Sequence, residues 1–230
     1  MSETVRAMFA DIAPRYDVSN TVLSLGIHHL WRRTVVRLSE AKTGMQVLDC
    51  ATGTGDLALA FKKVVGTGGS VIGTDFCAEM METAPQKALK RGLDVRFEVA
   101  DAMNLPYNDH TFDIASISFG IRNVDVPLQA LREMARVVRP GGRVVVLEFG
   151  QPRGIIGALY RFYSDQIIPF VGGLLSGNRE AYSYLNRTAA KFPSGEDFDA
   201  IMHETGAFEA TSYTPLTFGI AYVYIGKVRS

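Results

Sequence analysis

The segment Val47-Leu48-Asp49-Cys50-Ala51-Thr52-Gly53-Thr54-Gly55-Asp56 decides the fold. A short apolar run enters a glycine-rich turn, and apolar residues then recur at helical spacing at Leu57, Ala60, Phe61 and Val64. Glycine at such a turn lets the backbone come close to a ligand. The pattern therefore predicts a buried strand, a ligand-binding turn and a helix that ends near Gly66.

Strand and helix patterns alternate beyond this turn. Strands are predicted at residues 70–75, 94–99, 112–118 and 143–149, and helices at 78–90 and from Pro127 to the turn Pro140-Gly141-Gly142. Pro85 marks either a kink in the first of these helices or its true start. The alternation predicts an α/β fold with a mostly parallel sheet, helices on both faces, and a ligand beyond the carboxyl ends of the strands.

The flanking regions complete one domain over residues 1–230. Residues 1–45 are expected to form an N-terminal helical cap, 46–149 the cofactor-binding core, and 150–193 an apolar helical insertion after the fifth strand. Arg161, Asp165 and Pro169 interrupt the insertion, which excludes a membrane span there. Residues 194–230 predict a helix that opens with a capping box at Ser194, then an antiparallel hairpin of 208–213 and 220–227.

Composition excludes several classes of protein. The 230 residues carry 24 basic and 24 acidic side chains, and a balanced charge argues against a nucleic-acid partner. Cys50 and Cys77 are too few for a disulfide framework or a four-cysteine zinc site, and no metal is expected. The first residues show neither a secretory nor a transit pattern, so a cytoplasmic protein is expected.

Three acids, Asp49, Asp75 and Asp101, follow predicted strands at the same edge of the sheet. Two cofactors fit this edge. Gly53-x-Gly55-x-x-Ala58 with Asp75 satisfies the dinucleotide fingerprint. Asp49 would repel a pyrophosphate, however, and together the acids favour S-adenosylmethionine, which carries a sulfonium and a ribose. Simple helix capping by the three acids is the remaining alternative.

The chain resembles the ubiquinone/menaquinone biosynthesis C-methyltransferase family over nearly its whole length. The most specific motifs are an opening signature from Val5 to Trp31-Arg32 and the segment Phe119-Gly120-Ile121-Arg122-Asn123-Val124. Similar segments are Leu48 to Asp56, Arg139 to Phe149, Glu180 to Leu185 and Phe192-Pro193. Thr52-Gly53 stands where the family usually has two glycines.

This resemblance implies a Rossmann-like class I methyltransferase with a seven-stranded sheet. The implied reaction moves a methyl group from S-adenosylmethionine to a ring carbon of a polyprenylated quinol. The family's cofactor positions carry over onto Thr54, Asp75, Asp101, Ala102 and Ser118, and we expect Asp49, Gly53 and Gly55 of the turn beside them. The ring (naphthoquinol or benzoquinol), the tail length and the oligomeric state stay open.

Carbon methylation needs a ring oxygen that loses its proton next to the reacting carbon. Arg122 is expected to stabilise the phenolate and Asn123 to orient it or a water. His28 is a candidate base, and Tyr16 a candidate contact from the cap, although packing alone would also explain both. Arginine itself stays protonated at neutral pH.

The apolar insertion is expected to bind the isoprenoid tail and to touch a membrane surface transiently, at the inner face of the membrane. An ordinary pair of core helices is the alternative explanation of its pattern. Two further functions also remain open at this stage. One is methylation of oxygen or nitrogen on another small molecule, and the other is a non-catalytic cofactor-binding partner in quinone synthesis.

Overall fold

A computed structural model describes residues 3–230, except the side chain of Ser176. Residues 1 and 2 of the expected cap lie outside the described part. The first half contains α1 (Glu3–Ile12), α2 (Tyr16–Leu23), α3 (Ile27–Leu38), β1 (Gln46–Cys50), α4 (Asp56–Val65), β2 (Ser70–Asp75), α5 (Ala84–Lys90), β3 (Arg96–Val99) and β4 (Phe112–Ser118). The second half contains α6 (Pro127–Val137), β5 (Val138–Phe149), α7 (Gly154–Phe162), α8 (Ile168–Ser176), α9 (Arg179–Lys191), α10 (Glu196–Glu204), β6 (Phe208–Leu216) and β7 (Ala221–Val228).

The seven strands form one sheet in the order β3-β2-β1-β4-β5-β7-β6. The first five pair in parallel, whereas β7 pairs antiparallel with both β5 and β6. The chain reverses its order between β1 and β4, which is where sheets of this kind bind their ligands. The predicted parallel sheet with a C-terminal antiparallel hairpin is confirmed.

Helices cover both faces of the sheet, because the side chains of each buried strand alternate between them. In β1, Val47 packs into one cluster with Phe61 of α4. Its neighbour Leu48 packs into the opposite cluster with Met134 of α6 and Phe198 of α10. The sheet is therefore held rigidly from both sides, and only its strand ends are left to form a site.

The sequence signals for the ends of helices were correct in one case and wrong in two. Pro85 stands in the first turn of α5, so it marks the true start of that helix after a short 3₁₀ turn. The capping box expected at Ser194 is wrong, because Gly195 is the N-cap of α10 and no side chain caps it. The helix that begins at Pro127 was expected to end at Pro140, and this expectation is also wrong. That helix ends at Val137, and β5 begins at Val138, which pairs with Phe112.

The insertion begins with one unbroken helical stretch, α7, a π-turn over Tyr163–Ile167, and α8. Pro169 lies just after the π-turn. The wider turn accommodates a residue that has no N–H to donate and whose ring crowds the preceding turn. The Tyr163 hydroxyl donates to the Leu23 carbonyl of the cap at 2.7 Å. Among residues 3–230, no helix combines the length and apolarity needed to cross a membrane.

Gly120 is fixed by its packing and supplies a test of the fold. An added Cβ would lie 2.5 Å from Ala51 Cβ, in the turn that follows β1. We expect Gly120→Ala to cost about 1–3 kcal/mol through overpacking, and thus several degrees of Tm at roughly 2–4 °C per kcal/mol. Thermal denaturation followed by circular dichroism measures this.

Gly68→Ala is the matched control, because the nearest atom to its added Cβ is Gly44 Cα at 3.9 Å. Equal Tm values for the two variants would contradict the packing of the β1 turn against the end of β4.

Candidate active site

One cavity of about 450 Å³ opens at the carboxyl ends of β1 and β4, between the sheet, the cap (α1–α3) and the insertion. Seven predicted site residues line it: Tyr16, His28, Asp49, Gly53, Thr54, Ser118 and Arg122. The other five lie outside its lining: Gly55, Asp75, Asp101, Ala102 and Asn123. The topology thus brings together most of the residues that the sequence nominated from four separate segments.

Asp49 lies at the centre of the cavity's polar end. One carboxylate oxygen accepts a hydrogen bond from Thr52 Oγ1 at 2.7 Å, and the other accepts from Ser116 Oγ at 2.7 Å. Burial raises the pKa of Asp49 to about 6, against the lowering by these two donors. The carboxylate therefore joins β1, its turn and β4 in one arrangement, and at neutral pH it carries a negative charge.

Asp75 supports the turn from behind. Its carboxylate accepts the Gly53 N–H at 2.9 Å and the Cys77 N–H at 2.9 Å, and burial raises its pKa. Gly55 has a left-handed backbone at φ 81°, and an added Cβ would meet the Phe97 ring at 2.9 Å. Both residues therefore shape the turn, and their expected contact with the cofactor remains a prediction.

Asp101 and Ala102 lie farther from the described cavity. The Asp101 carboxylate accepts the Met103 N–H at 2.9 Å, and Asp101 forms an isolated bridge with Asn104. Ala102 packs against the core cluster on the α6 side of the sheet. The structure accounts for Asp101 as a turn-forming residue, so its expected contact with the adenine also stays a prediction.

A chain of charged groups fastens the cap to the cofactor turn. Thr54 Oγ1 donates to Asp17 Oδ1 at 2.6 Å, and Lys87 Nζ donates to Asp17 Oδ2 at 2.7 Å. Lys87 Nζ also lies 2.7 Å from Asp56 Oδ1, whose other oxygen lies 3.2 Å from Arg32 Nη1. Sequence reasoning missed Lys87, because a lysine on a helix ordinarily indicates a solvated face.

His28 is a weaker base than its type suggests. Burial and the nearby Arg32 guanidinium lower its pKa to about 4, so the ring is neutral at neutral pH. Its Nδ1 is hydrogen-bonded to the Ser24 hydroxyl. His28, His29 and Asp56 place ligand-type atoms within 4.8 Å of one another. Because Lys87 and Arg32 already surround the Asp56 carboxylate, their charge opposes a cation there.

Arg122 brings a positive charge to the cavity beyond β4. Its Nη1 donates to Glu148 Oε1 at 2.6 Å and to the Phe119 carbonyl at 2.8 Å, and the Phe149 ring centroid lies 5.3 Å from its Cζ. Asn123 follows it in the chain and is buried, but it is not among the residues that line the cavity. A glutamate inside the apolar strand Val144-Val145-Val146-Leu147-Glu148 was the available signal for this pair, and sequence reasoning did not use it.

Backbone strain is concentrated around the same cavity. Leu25, Ala51, Phe119 and Thr217 all have positive φ values, between 46° and 56°, and all four line it. Residues other than glycine rarely adopt this left-handed backbone conformation, which costs roughly 1–3 kcal/mol per residue. Strain at these four residues indicates that the conformation of their turns serves the shape of the cavity rather than the stability of the fold.

The cavity fits S-adenosylmethionine at its polar end. Asp49 supplies a carboxylate, Thr54 a hydroxyl and Arg32 a guanidinium suited to an amino-acid group, and Gly53 leaves room for close approach. An anionic pyrophosphate would instead meet the Asp49 carboxylate. The donor set therefore favours a zwitterionic, sulfonium-bearing ligand over a dinucleotide.

Much of the remaining lining is apolar. It includes Leu23 and Leu25 of the cap, Ile156 and Leu159 of α7, and Leu185 of α9. A pocket that combines charged and apolar side chains suits two ligands of different character.

Comparisons with known proteins agree with this geometry. Residues 1–228 match the family model described as the ubiE/COQ5 methyltransferase family. The chain is 58% identical over 228 residues to a ubiquinone/menaquinone biosynthesis C-methyltransferase of Bdellovibrio bacteriovorus, covering 99% of this chain and 97% of the relative. It is 47% identical over 220 residues to a demethylmenaquinone methyltransferase of Thermus thermophilus, covering 95% and 99%.

A solved structure shares the fold at lower sequence identity. A SAM-dependent methyltransferase of Thermotoga maritima superposes with a TM-score of 0.69 at 21% identity, covering 97% of this chain and 99% of that one. The Rossmann-like class I methyltransferase fold is thereby confirmed. Fold, cavity and full-length sequence similarity agree, and this chain belongs to the ubiE/COQ5 methyltransferase family.

Proposed function

We propose that this methyltransferase acts on a ring carbon of a polyprenylated quinol in menaquinone biosynthesis, ubiquinone biosynthesis or both. The observation that carries the proposal is the mixed lining of one cavity, in which Asp49 and Arg122 occur together with apolar side chains of α7 and α9. The names of the two relatives above support the same substrate class.

Thr54, Asp49 and Arg32 would hold the amino-acid group of S-adenosylmethionine, and Ser118 would lie beside it at the end of β4. Asp75, Asp101 and Ala102 would hold the nucleoside after a small local rearrangement. When bound, the cofactor would supply an electrophilic methyl group: a carbon–methyl bond forms as the sulfur–methyl bond breaks, and the electron pair of the broken bond stays on sulfur. The quinol oxygen loses its proton to solvent before the transfer and regains one as the ring carbon loses its hydrogen, so one proton is released in all. The protein's contribution is to align the two reactants.

Arg122 would bind the quinol oxygen as it loses its proton. A buried guanidinium beside a developing phenolate gives strong stabilisation because no water has to reorient. His28 faces the same cavity, and its lowered pKa keeps it neutral and able to accept a hydrogen bond from the quinol. Tyr16 would complete the cap side of the site, and Asn123 would hold the Arg122 turn from behind.

The apolar half would hold the first part of the isoprenoid tail. Its exit lies between Leu25 of the cap and Leu159 of α7, both largely exposed outside and both part of the lining. An isoprenoid longer than this cavity must continue outside the protein. Contact of the exit with a bilayer would shelter that part from water.

The outer face of the α7–α8 helix suits such a contact. Ile155, Leu159, Phe162, Phe170 and Leu174 follow one another along it, and all are exposed. Exposed arginines accompany this apolar stripe at 153, 161 and 179. Apolar residues beside basic ones are typical of helices that lie in the plane of an anionic membrane surface. We therefore propose that the protein binds peripherally at the inner face of the membrane.

The first prediction concerns the reaction. With S-adenosylmethionine and a demethylated quinol in detergent, the protein is expected to yield a quinol with one added methyl group on carbon. Proton NMR and mass spectrometry of the product identify the position. Naphthoquinol and benzoquinol substrates are assayed separately, which settles the ring.

Ligand binding provides the control. S-adenosylhomocysteine is expected to stabilise the protein by roughly 2.7 kcal/mol at a concentration of 100 Kd, whereas NAD gives no change. Methyl groups found on oxygen or nitrogen would replace the proposal with the small-molecule alternative. Binding without any turnover of either quinol would indicate a non-catalytic partner, and stabilisation by NAD alone an oxidoreductase.

The second prediction concerns the α7–α8 stripe. Leu159→Asp with Phe162→Asp is expected to abolish co-sedimentation with phosphatidylglycerol-rich vesicles, because each aspartate adds a charge where apolar contact is needed. Turnover of a long-tailed quinol in those vesicles should fall at least tenfold, while the affinity for S-adenosylhomocysteine stays within twofold.

Leu89→Asp serves as the matched control, because Leu89 is an exposed leucine on α5, outside the cavity. Vesicle binding and turnover should be normal in this variant. Retention of vesicle binding by the double variant would contradict the proposed surface, without affecting the proposed reaction.

A further inference from the structure

Glu148 and Arg122 form an ion pair that is almost completely buried. Their side chains are 1% and 5% exposed, and Arg122 Nη1 lies 2.6 Å from Glu148 Oε1. Removing two charges from water is costly, and apolar replacements for such pairs often leave stability unchanged or improve it. A buried pair beside a cavity therefore indicates a task other than stability.

Only some of the polar atoms of this ion pair have hydrogen-bond partners. Glu148 Oε1 accepts both Arg122 Nη1 and the Phe149 N–H, at 2.6 Å and 2.8 Å. Glu148 Oε2 and Arg122 Nε are buried, and neither has a hydrogen-bond partner among the described residues. Buried polar atoms almost always have partners, so exceptions point to a ligand or to a functional constraint.

Arg122 is held on the sides that face the protein. Glu148 binds Nη1, the Phe119 carbonyl accepts from the same nitrogen, and the Phe149 ring lies against the guanidinium. Arg122 lines the cavity, whereas Glu148 lies behind it. Glu148 is also fixed at the end of β5, in register with Tyr222 of β7. Any effect of Glu148 on a bound molecule is therefore transmitted through Arg122.

We infer that Glu148 is the positioning residue that holds the Arg122 guanidinium against the quinol oxygen and balances its charge while the site is buried. The inference rests on the proposed function. The carboxylate fixes one side of the guanidinium in advance and leaves its remaining donors for the phenolate. Donors that are already oriented stabilise a developing charge far better than mobile ones.

Glu148→Gln is the direct test, because glutamine keeps the shape and one acceptor but removes the charge. We expect kcat for quinol methylation to fall at least tenfold, while the KM for S-adenosylmethionine and the Kd for S-adenosylhomocysteine stay within twofold. Glu133→Gln is the matched control, since Glu133 pairs with Arg136 at 2.9 Å outside the cavity. Its kcat should equal that of the unchanged protein.

Chemical rescue separates positioning from packing. In Glu148→Ala, added formate should restore at least a tenth of the lost kcat by supplying a carboxylate to Arg122, and formamide, which is neutral and of similar size, should not. A second readout is the double variant Arg122→Gln with Glu148→Gln. It should be no slower than Arg122→Gln alone, because Glu148 acts only through Arg122.

A normal kcat in Glu148→Gln would overturn the inference. Equal rescue by formate and formamide, no rescue by formate, or losses that multiply in the double variant would do the same. The proposed function is tested separately by the unchanged protein. If that protein binds S-adenosylhomocysteine yet methylates neither quinol, the proposed substrate is wrong, and the role of Glu148 toward it falls as well.

Discussion

The structure depends most on the buried carboxylate of Asp49. Asp49 is the penultimate residue of β1, and its carboxylate accepts one hydrogen bond from the turn that follows and one from Ser116 in β4. It thereby joins the two strands between which the order of the sheet reverses. Burial raises its pKa, which is the cost of keeping a charge in the interior. Asp49 lines the same cavity as residues of the cap, the cofactor turn and Arg122. An apolar side chain there would remove the carboxylate that two buried hydroxyl groups donate to.

The fold could be predicted from the sequence because its central strands β1, β2 and β4 are mostly buried and the residues that end its elements are strong breakers. The run Phe112 to Ser118 and the glycine turn after Cys50 each have one physical explanation, and the alternation between strands and helices follows from them. Boundaries were less predictable. The strand β5 extends back through Pro140-Gly141-Gly142 because Val138 pairs with Phe112, and a long-range partner of this kind has no local signature.

The candidate site was predictable in part, for the same reason. Residues near strand ends, such as Asp49 and Ser118, line one cavity because the topology alone brings them together. Partners that depend on tertiary packing were not predictable. Nothing in the local sequence relates Lys87 to Asp17. The neutral state of His28 follows chiefly from its burial, which lowers its pKa, with a smaller contribution from the Arg32 guanidinium. The carboxylates of Asp75 and Asp101 accept backbone N–H groups, so an acid that follows a strand can have a local structural role as well as, or instead of, a ligand.

The left-handed residues around the cavity have a consequence for the protein's history and for its engineering. Leu25, Ala51, Phe119 and Thr217 have an unfavourable backbone conformation, and the stability of the packed sheet compensates for the cost of these turns. Stabilising substitutions elsewhere in the chain would allow the sequence of these loops to change without unfolding the protein. A change of methyl-acceptor specificity in this fold should therefore take two steps. The hydrophobic core is stabilised first, and the loops around the cavity are exchanged afterwards.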